Sequence, residues 1–168
     1  KANGGDEESF VKKWNDIGRN GNGVEGVVVL CHANNELFEF SSHTDDIPST
    51  CFTIYQVGEL TNKRAMDSIV LLACKTANSN DGGTNMANEI TKQANTNILI
   101  GSDGEVCPNP DSERSGFLWL FERKYLSIIT YPEPKGFKLY KKGIGDPPSI
   151  GTTFKGVGEL LKAAKEKE

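Results

Sequence analysis

The sequence predicts an α/β domain, with a mostly parallel central sheet, helices on both faces and a C-terminal β-meander. Three observations carry this expectation. Apolar runs at 24–31, 68–74 and 96–102 lack polar alternation, as strands covered on both sides do. A segment of helical periodicity separates the second run from the third. Strand, helix and strand in that order need a crossover connection, which joins parallel neighbours.

Each element has its own local signal. In "DEESFVKKWNDIG", Phe10, Val11, Trp14 and Ile17 recur at helical spacing, and acidic residues fill the first turn, where the helix dipole favours them. Glycines between 18 and 23 end that helix. The first buried strand follows at 24–31. "ELFEFSS" and "TCFTIYQV" read as a short hairpin or two edge strands, and "VGELTNKRAM" as a short helix. The second buried strand is 68–74. "GGTNMANEITKQAN" places Met86, Ala87, Ile90 and Ala94 on one helical face, and "TNILIGS" is the third buried strand. Beyond it the texture changes. "DGEVCPNPDSERSG" reads as a turn-rich loop with two prolines, residues 117–143 as strands in a meander, and "KGVGELLKAAKEKE" as a closing helix.

Composition narrows the function. At 168 residues the chain reads as a single domain spanning 1–168, large enough for a real core. It begins at Lys1 without a methionine, which suggests a piece of a longer chain. Hydrophobic residues make up 36% and charged residues 25%, as in soluble globular proteins. A net charge of −4 with no basic cluster argues against a nucleic-acid partner. No apolar run approaches the roughly 20 residues of a membrane helix, so no membrane partner is expected. The four cysteines form no CxxC pair, so neither a metal nor a cofactor is expected. A Cys51–Cys107 disulfide is open on sequence grounds.

The chemistry concentrates at two strand ends. "VVVLCHANN" stops on His32, and "SIVLLACKTANSNDGG" stops on Cys74. In open α/β sheets, ligands bind at the carboxyl ends of the strands. If the two strands are neighbours, about 4.8 Å apart, imidazole and thiol share one rim. A thiol needs deprotonation to become a nucleophile, and an imidazole takes that proton near neutral pH. Backbone N–H groups just past the strand ends are free to bind an oxyanion. Taken singly, a cysteine after "LLA" is a small buried hydrophobe and a histidine at a strand end is a polar cap. Their joint placement before polar loops is what points to a dyad.

An apolar strand ending in histidine and, 42 residues on, another ending in "LLAC" resembles the caspase-like peptidase fold. "IVLLACKTANSNDGGTNMANEITKQANTNILIGS" is similar to the bacterial branch with CHAT-type and clostripain-like domains. The resemblance covers about residues 24–106. It implies a caspase-like three-layer sandwich and thiol-dependent peptide hydrolysis, with Cys74 as nucleophile and His32 as general base and acid. The N–H groups of Ala33 and Cys74 would form the oxyanion hole, a peptide or protein would be the substrate, and the setting would be a bacterial secreted or effector protein. The family has glycine after its histidine, whereas this chain has Ala33, which lacks the left-handed conformations of glycine. That departure keeps an inactive, peptide-binding module as the alternative. A flavodoxin-like ligand carrier is a third class.

The resemblance also places the pocket for the residue before the cut along "ILIGSDGEV". There Asp103 is the candidate partner for a substrate Arg or Lys, Glu105 the second choice, and Ser102 a wall residue. "SDG" is equally an ordinary turn. Other motifs carry less. "GNGVEG" precedes a strand instead of following one, so it forms no phosphate cradle. His43, Asp45 and Asp46 read as a solvated turn, Trp14 and Trp119 as core residues, and Cys31 as packed on the sheet face opposite His32.

Overall fold

A computed structural model describes residues 6–21, 23–40, 50–78, 84–115, 121–131, 136–143 and 146–167. His43, Asp45, Asp46 and Trp119 lie outside the described residues. Helix α1 (Glu7–Asp16) leads into β1 (Val24–Leu30), then β2 (His32–Ala33), β3 (Leu37–Glu39) and β4 (Cys51–Thr53). After a 3-10 helix at Ile54–Glu59 come β5 (Met66–Leu72), α2 (Met86–Gln93) and β6 (Thr96–Ser102). Strands β7 (Glu105–Ser115), β8 (Phe121–Tyr131), β9 (Phe137–Tyr140), β10 (Ser149–Gly151) and β11 (Thr153–Phe154) precede α3 (Val157–Glu166).

The α/β class holds, but the central sheet is mixed. Its order is β1-β5-β6-β9-β10. The β1–β5 and β5–β6 pairings are parallel, and β6–β9 and β9–β10 are antiparallel. The expected mostly parallel sheet is therefore half antiparallel. The segment read as a meander, 117–143, is also divided: β9 joins the central sheet, where β10 pairs with it, while β8 pairs with β7 and β11 in a separate sheet of order β11-β8-β7. The proline-rich stretch expected to be a loop is part of β7. Pro108 and Pro110 stand two apart on an edge strand, where their missing N–H groups fall on the side that needs no donor.

Helices lie on both faces. Trp14 of α1 and Met86, Ala87 and Ile90 of α2 pack with Ile69, Leu71 and Leu99 on one face. Leu160 and Ala164 of α3 pack with Val70, Leu72, Ile98 and Ile100 on the other. Full burial of each Met, Leu, Ile or Val among them is worth about 1.5–3 kcal/mol. β5 and β6 are covered on both faces, as their unalternating sequences require. β1 is not. Val29 is buried while Val28 is 50% and Leu30 68% exposed, because β1 is the edge strand and its second face is uncovered among the described residues.

Local chemistry sets the helix ends. Asp6 caps α1 by accepting the Ser9 N–H at 2.7 Å, and Asn85 caps α2 by accepting the Asn88 N–H at 2.9 Å. The short helix expected at 57–66 starts upstream instead, where Thr53 and Gln56 form a capping box. Its expected second half is held out of helix by Asn62, whose Nδ2 donates to the carbonyls of Trp14 and Ile17.

Candidate active site

The last register pair of β1 and β5 is Leu30 opposite Leu72. Two residues further along each chain stand His32 and Cys74. The backbone bends at Cys31, and His32 opens the small sheet β2-β3-β4, where it pairs with Glu39. The Asn34 side chain makes this possible. Its Oδ1 accepts the N–H groups of Glu36 at 2.8 Å and Leu37 at 3.0 Å, folding the turn between β2 and β3. Aromatic packing then anchors the small sheet under α1, with the Phe10 ring 5.8 Å from Phe38 and 5.0 Å from Phe52. His32 itself is exposed.

Cys74 begins a tight turn gripped by the end of β6 and the start of β7. Lys75 N–H donates to Gly104 O at 2.8 Å, and Ala77 N–H to Ser102 O at 2.8 Å. Lys75 has φ 56°, the one left-handed non-glycine among the described residues. The Cys74 Sγ accepts the Val106 N–H at 3.4 Å. Ala33 has no positive φ, so the absence of glycine there imposes no left-handed strain. In the β2–β3 ladder Asn34 N–H pairs with Leu37 O, so alternation directs the Ala33 N–H away from β3.

Helix α2 ties the two loops together. Met86 N–H donates to Asn35 O and Ala87 N–H to Thr76 O, both at 2.9 Å. Gly101 of β6 faces this junction. A Cβ there would stand 3.0 Å from Ala87 Cβ and 3.1 Å from Ala77 Cβ, so glycine lets helix and turn approach the sheet closely.

The residues expected to shape specificity are placed differently from one another. Asp103 is buried, at 6% exposure. Its carboxylate accepts from Asn78 Nδ2 at 2.8 Å and pairs with Lys138 Nζ at 2.9 Å. It is therefore engaged within the fold, where the sequence suggested an open rim. Ser102 is wholly buried, 2.6 Å from the Thr130 hydroxyl, and so does not line a solvent-open wall. Glu105 is exposed and 3.7 Å from Lys75 Nζ. Cys31 packs against the first core, as expected. Burial, and secondarily the neighbouring Cys74, push its thiol up to about 12. All four cysteines are free, so Cys51 and Cys107 are not joined.

Sequence reasoning missed Val106, Asn78 and Lys138. Val106 contributes a backbone N–H, which leaves no mark on residue type. Asn78 and Lys138 acquire their roles through partners distant in sequence. No group of His, Cys, Asp and Glu suited to a metal occurs among the described residues. No protein-family model matches the chain, and no curated protein or solved structure matches it.

Proposed function

We propose that this protein is a cysteine endopeptidase with a Cys74–His32 dyad. The observation that carries the reading is the register of β1 and β5: His32 and Cys74 each follow, by two residues, the last pair of adjacent parallel strands. His32 takes the thiol proton, and Cys74 Sγ adds to the substrate carbonyl carbon. The N–H groups of Ala33 and Cys74 hold the oxyanion. His32 then protonates the leaving amine as the C–N bond breaks. Water, deprotonated by His32, releases the acyl group from the thioester and restores the thiol.

Preference for a basic residue before the cut is assigned to Glu105 in place of Asp103. Glu105 is exposed and directly precedes Val106, whose N–H touches Cys74 Sγ. Asp103 serves instead to hold the nucleophile turn through Asn78.

The test is a panel of fluorogenic peptides varied at the residue before the cut. Cleavage after Arg or Lys is expected, with loss in both Cys74→Ala and His32→Ala. In Glu105→Gln, the advantage of Arg over neutral residues should shrink while neutral peptides are cleaved as before. Hydrolysis that survives Cys74→Ala overturns the dyad.

A further inference from the structure

We infer that the main-chain N–H of Val106 is a positioning group for the candidate nucleophile, holding Cys74 Sγ at the start of β7 and stabilising it as thiolate. The consequence for hydrolysis rests on the peptidase reading above; the effect on the thiol does not. The contact is direct, with the Val106 N–H donating to Cys74 Sγ at 3.4 Å. It completes a seam between the Cys74 turn and every second residue from the end of β6. Ala77 N–H donates to Ser102 O and Lys75 N–H to Gly104 O, both at 2.8 Å. Two backbone bonds thus fix the turn, and the third residue of the series, Val106, meets the sulfur.

The strand edge explains why this N–H is available. Val106 pairs with Thr130 of β8, and Thr130 N–H donates to Thr152 O at 3.0 Å, on the side away from β7. Val106 and Thr130 are therefore a non-hydrogen-bonded pair, and the Val106 N–H faces the open edge of β7. Residues 108 and 110 share that orientation, and both are prolines. Proline on an edge discourages pairing with another strand. Between Glu105 and Asp111, Val106 thus has the only outward N–H, and it goes to Cys74. An N–H donor stabilises sulfur more strongly as an anion than as a neutral thiol. In the proposed reaction the oxyanion belongs to the N–H groups of Ala33 and Cys74. The Val106 N–H acts instead on the attacking sulfur, and again on the sulfur that leaves when water cleaves the thioester.

Val106→Pro removes the donor on an edge whose next two outward positions already hold proline. Val106→Ala keeps the donor and removes only a side chain that packs against the core on the α3 side. An amide-to-ester replacement at Val106 removes the donor and keeps the side chain, so the test survives a proline variant that fails to fold. Alkylation of Cys74 in the full chain by iodoacetamide is followed across pH by mass, on the tryptic peptide 65–75. At neutral pH the proline and ester proteins should alkylate about three- to tenfold more slowly than the parent. The deficit should close well above the ordinary thiol pKa of about 8.5, because a thiolate without its donor is no weaker a nucleophile. Val106→Ala should follow the parent. An equal loss at every pH in the ester protein would mark a displaced turn, and an unchanged profile a contact without consequence; either overturns the proposal. The expected profile in a protein that cleaves no peptide upholds the role of Val106 and removes the peptidase reading.

Discussion

The carbonyl oxygen of Asn35 accepts the N–H of Met86 at 2.9 Å, joining the β2–β3 turn that follows His32 to the first turn of α2. The next residue of that turn, Ala87, donates to Thr76 O in the loop that carries Cys74. One helix terminus, whose N–H groups have no partners within the helix, thus holds both candidate groups in a single frame.

Met86 is the first residue of α2 and follows an extended Asn85, so proline is compatible with the backbone there. Met86→Pro keeps the helix but removes the donor to Asn35, whereas Met86→Ala removes only side-chain packing. The proline variant is expected to be about 1 kcal/mol less stable than the alanine variant. Its rate of peptide hydrolysis should fall further than that of the alanine variant. Urea unfolding and the fluorogenic assay measure the two effects.

Gly101→Ala inserts a methyl group between Ala87 and Ala77, at 3.0 and 3.1 Å. These two neighbours are backbone-fixed Cβ atoms with no rotamer to change, and a third, Thr76 Oγ1 at 3.1 Å, is held by accepting the Ser102 N–H. A loss of about 1–3 kcal/mol is expected, together with slower hydrolysis as the Cys74 turn is displaced. An unchanged denaturation midpoint would refute the close approach.

Asp103→Ala leaves Lys138 without its carboxylate and Asn78 without its side-chain acceptor. The expected cost is about 3 kcal/mol, since breaking a largely buried pair strands the remaining charge. Asp103→Asn, whose carbonyl still accepts from Asn78, should lose less. If Asp103→Ala costs no stability but abolishes preference for Arg and Lys, the carboxylate is a specificity group after all.

Stability should fall in alkaline solution. Burial raises the Cys31 thiol from 9.0 to about 12 and the Tyr140 hydroxyl from 10.0 to about 12. Between those limits the unfolded chain has lost protons that the native protein keeps, so the slope of unfolding free energy with pH is negative. The contribution is complete below pH 9 and lost as pH rises toward 12. Thermal melts across this range should show the decline, and Tyr140→Phe and Cys31→Ser should each flatten it. Because the Tyr140 hydroxyl donates to Ala77 O and accepts from Asn85, the Phe variant should also lose about 1 kcal/mol at neutral pH.

Residue order by itself determined the elements whose signals are local. The apolar runs became β1, β5 and β6, with β6 spanning the expected "TNILIGS". The periodic faces of Trp14 and of Met86, Ala87 and Ile90 became the buried sides of α1 and α2. The expectation of His32 and Cys74 at strand ends is met only approximately: both stand two residues past β1 and β5, and His32 opens β2. Strand direction and partners were decided only by the tertiary structure. β9 runs antiparallel beside β6, Pro108 and Pro110 find an edge strand, and β1 leaves Val28 and Leu30 bare. The burial of Asp103 on Lys138 and the contact of Val106 with Cys74 likewise depend on segments far apart in sequence. A residue's own pattern reports how much water it avoids; which distant charge or backbone donor meets it there is fixed by the packing of the whole chain.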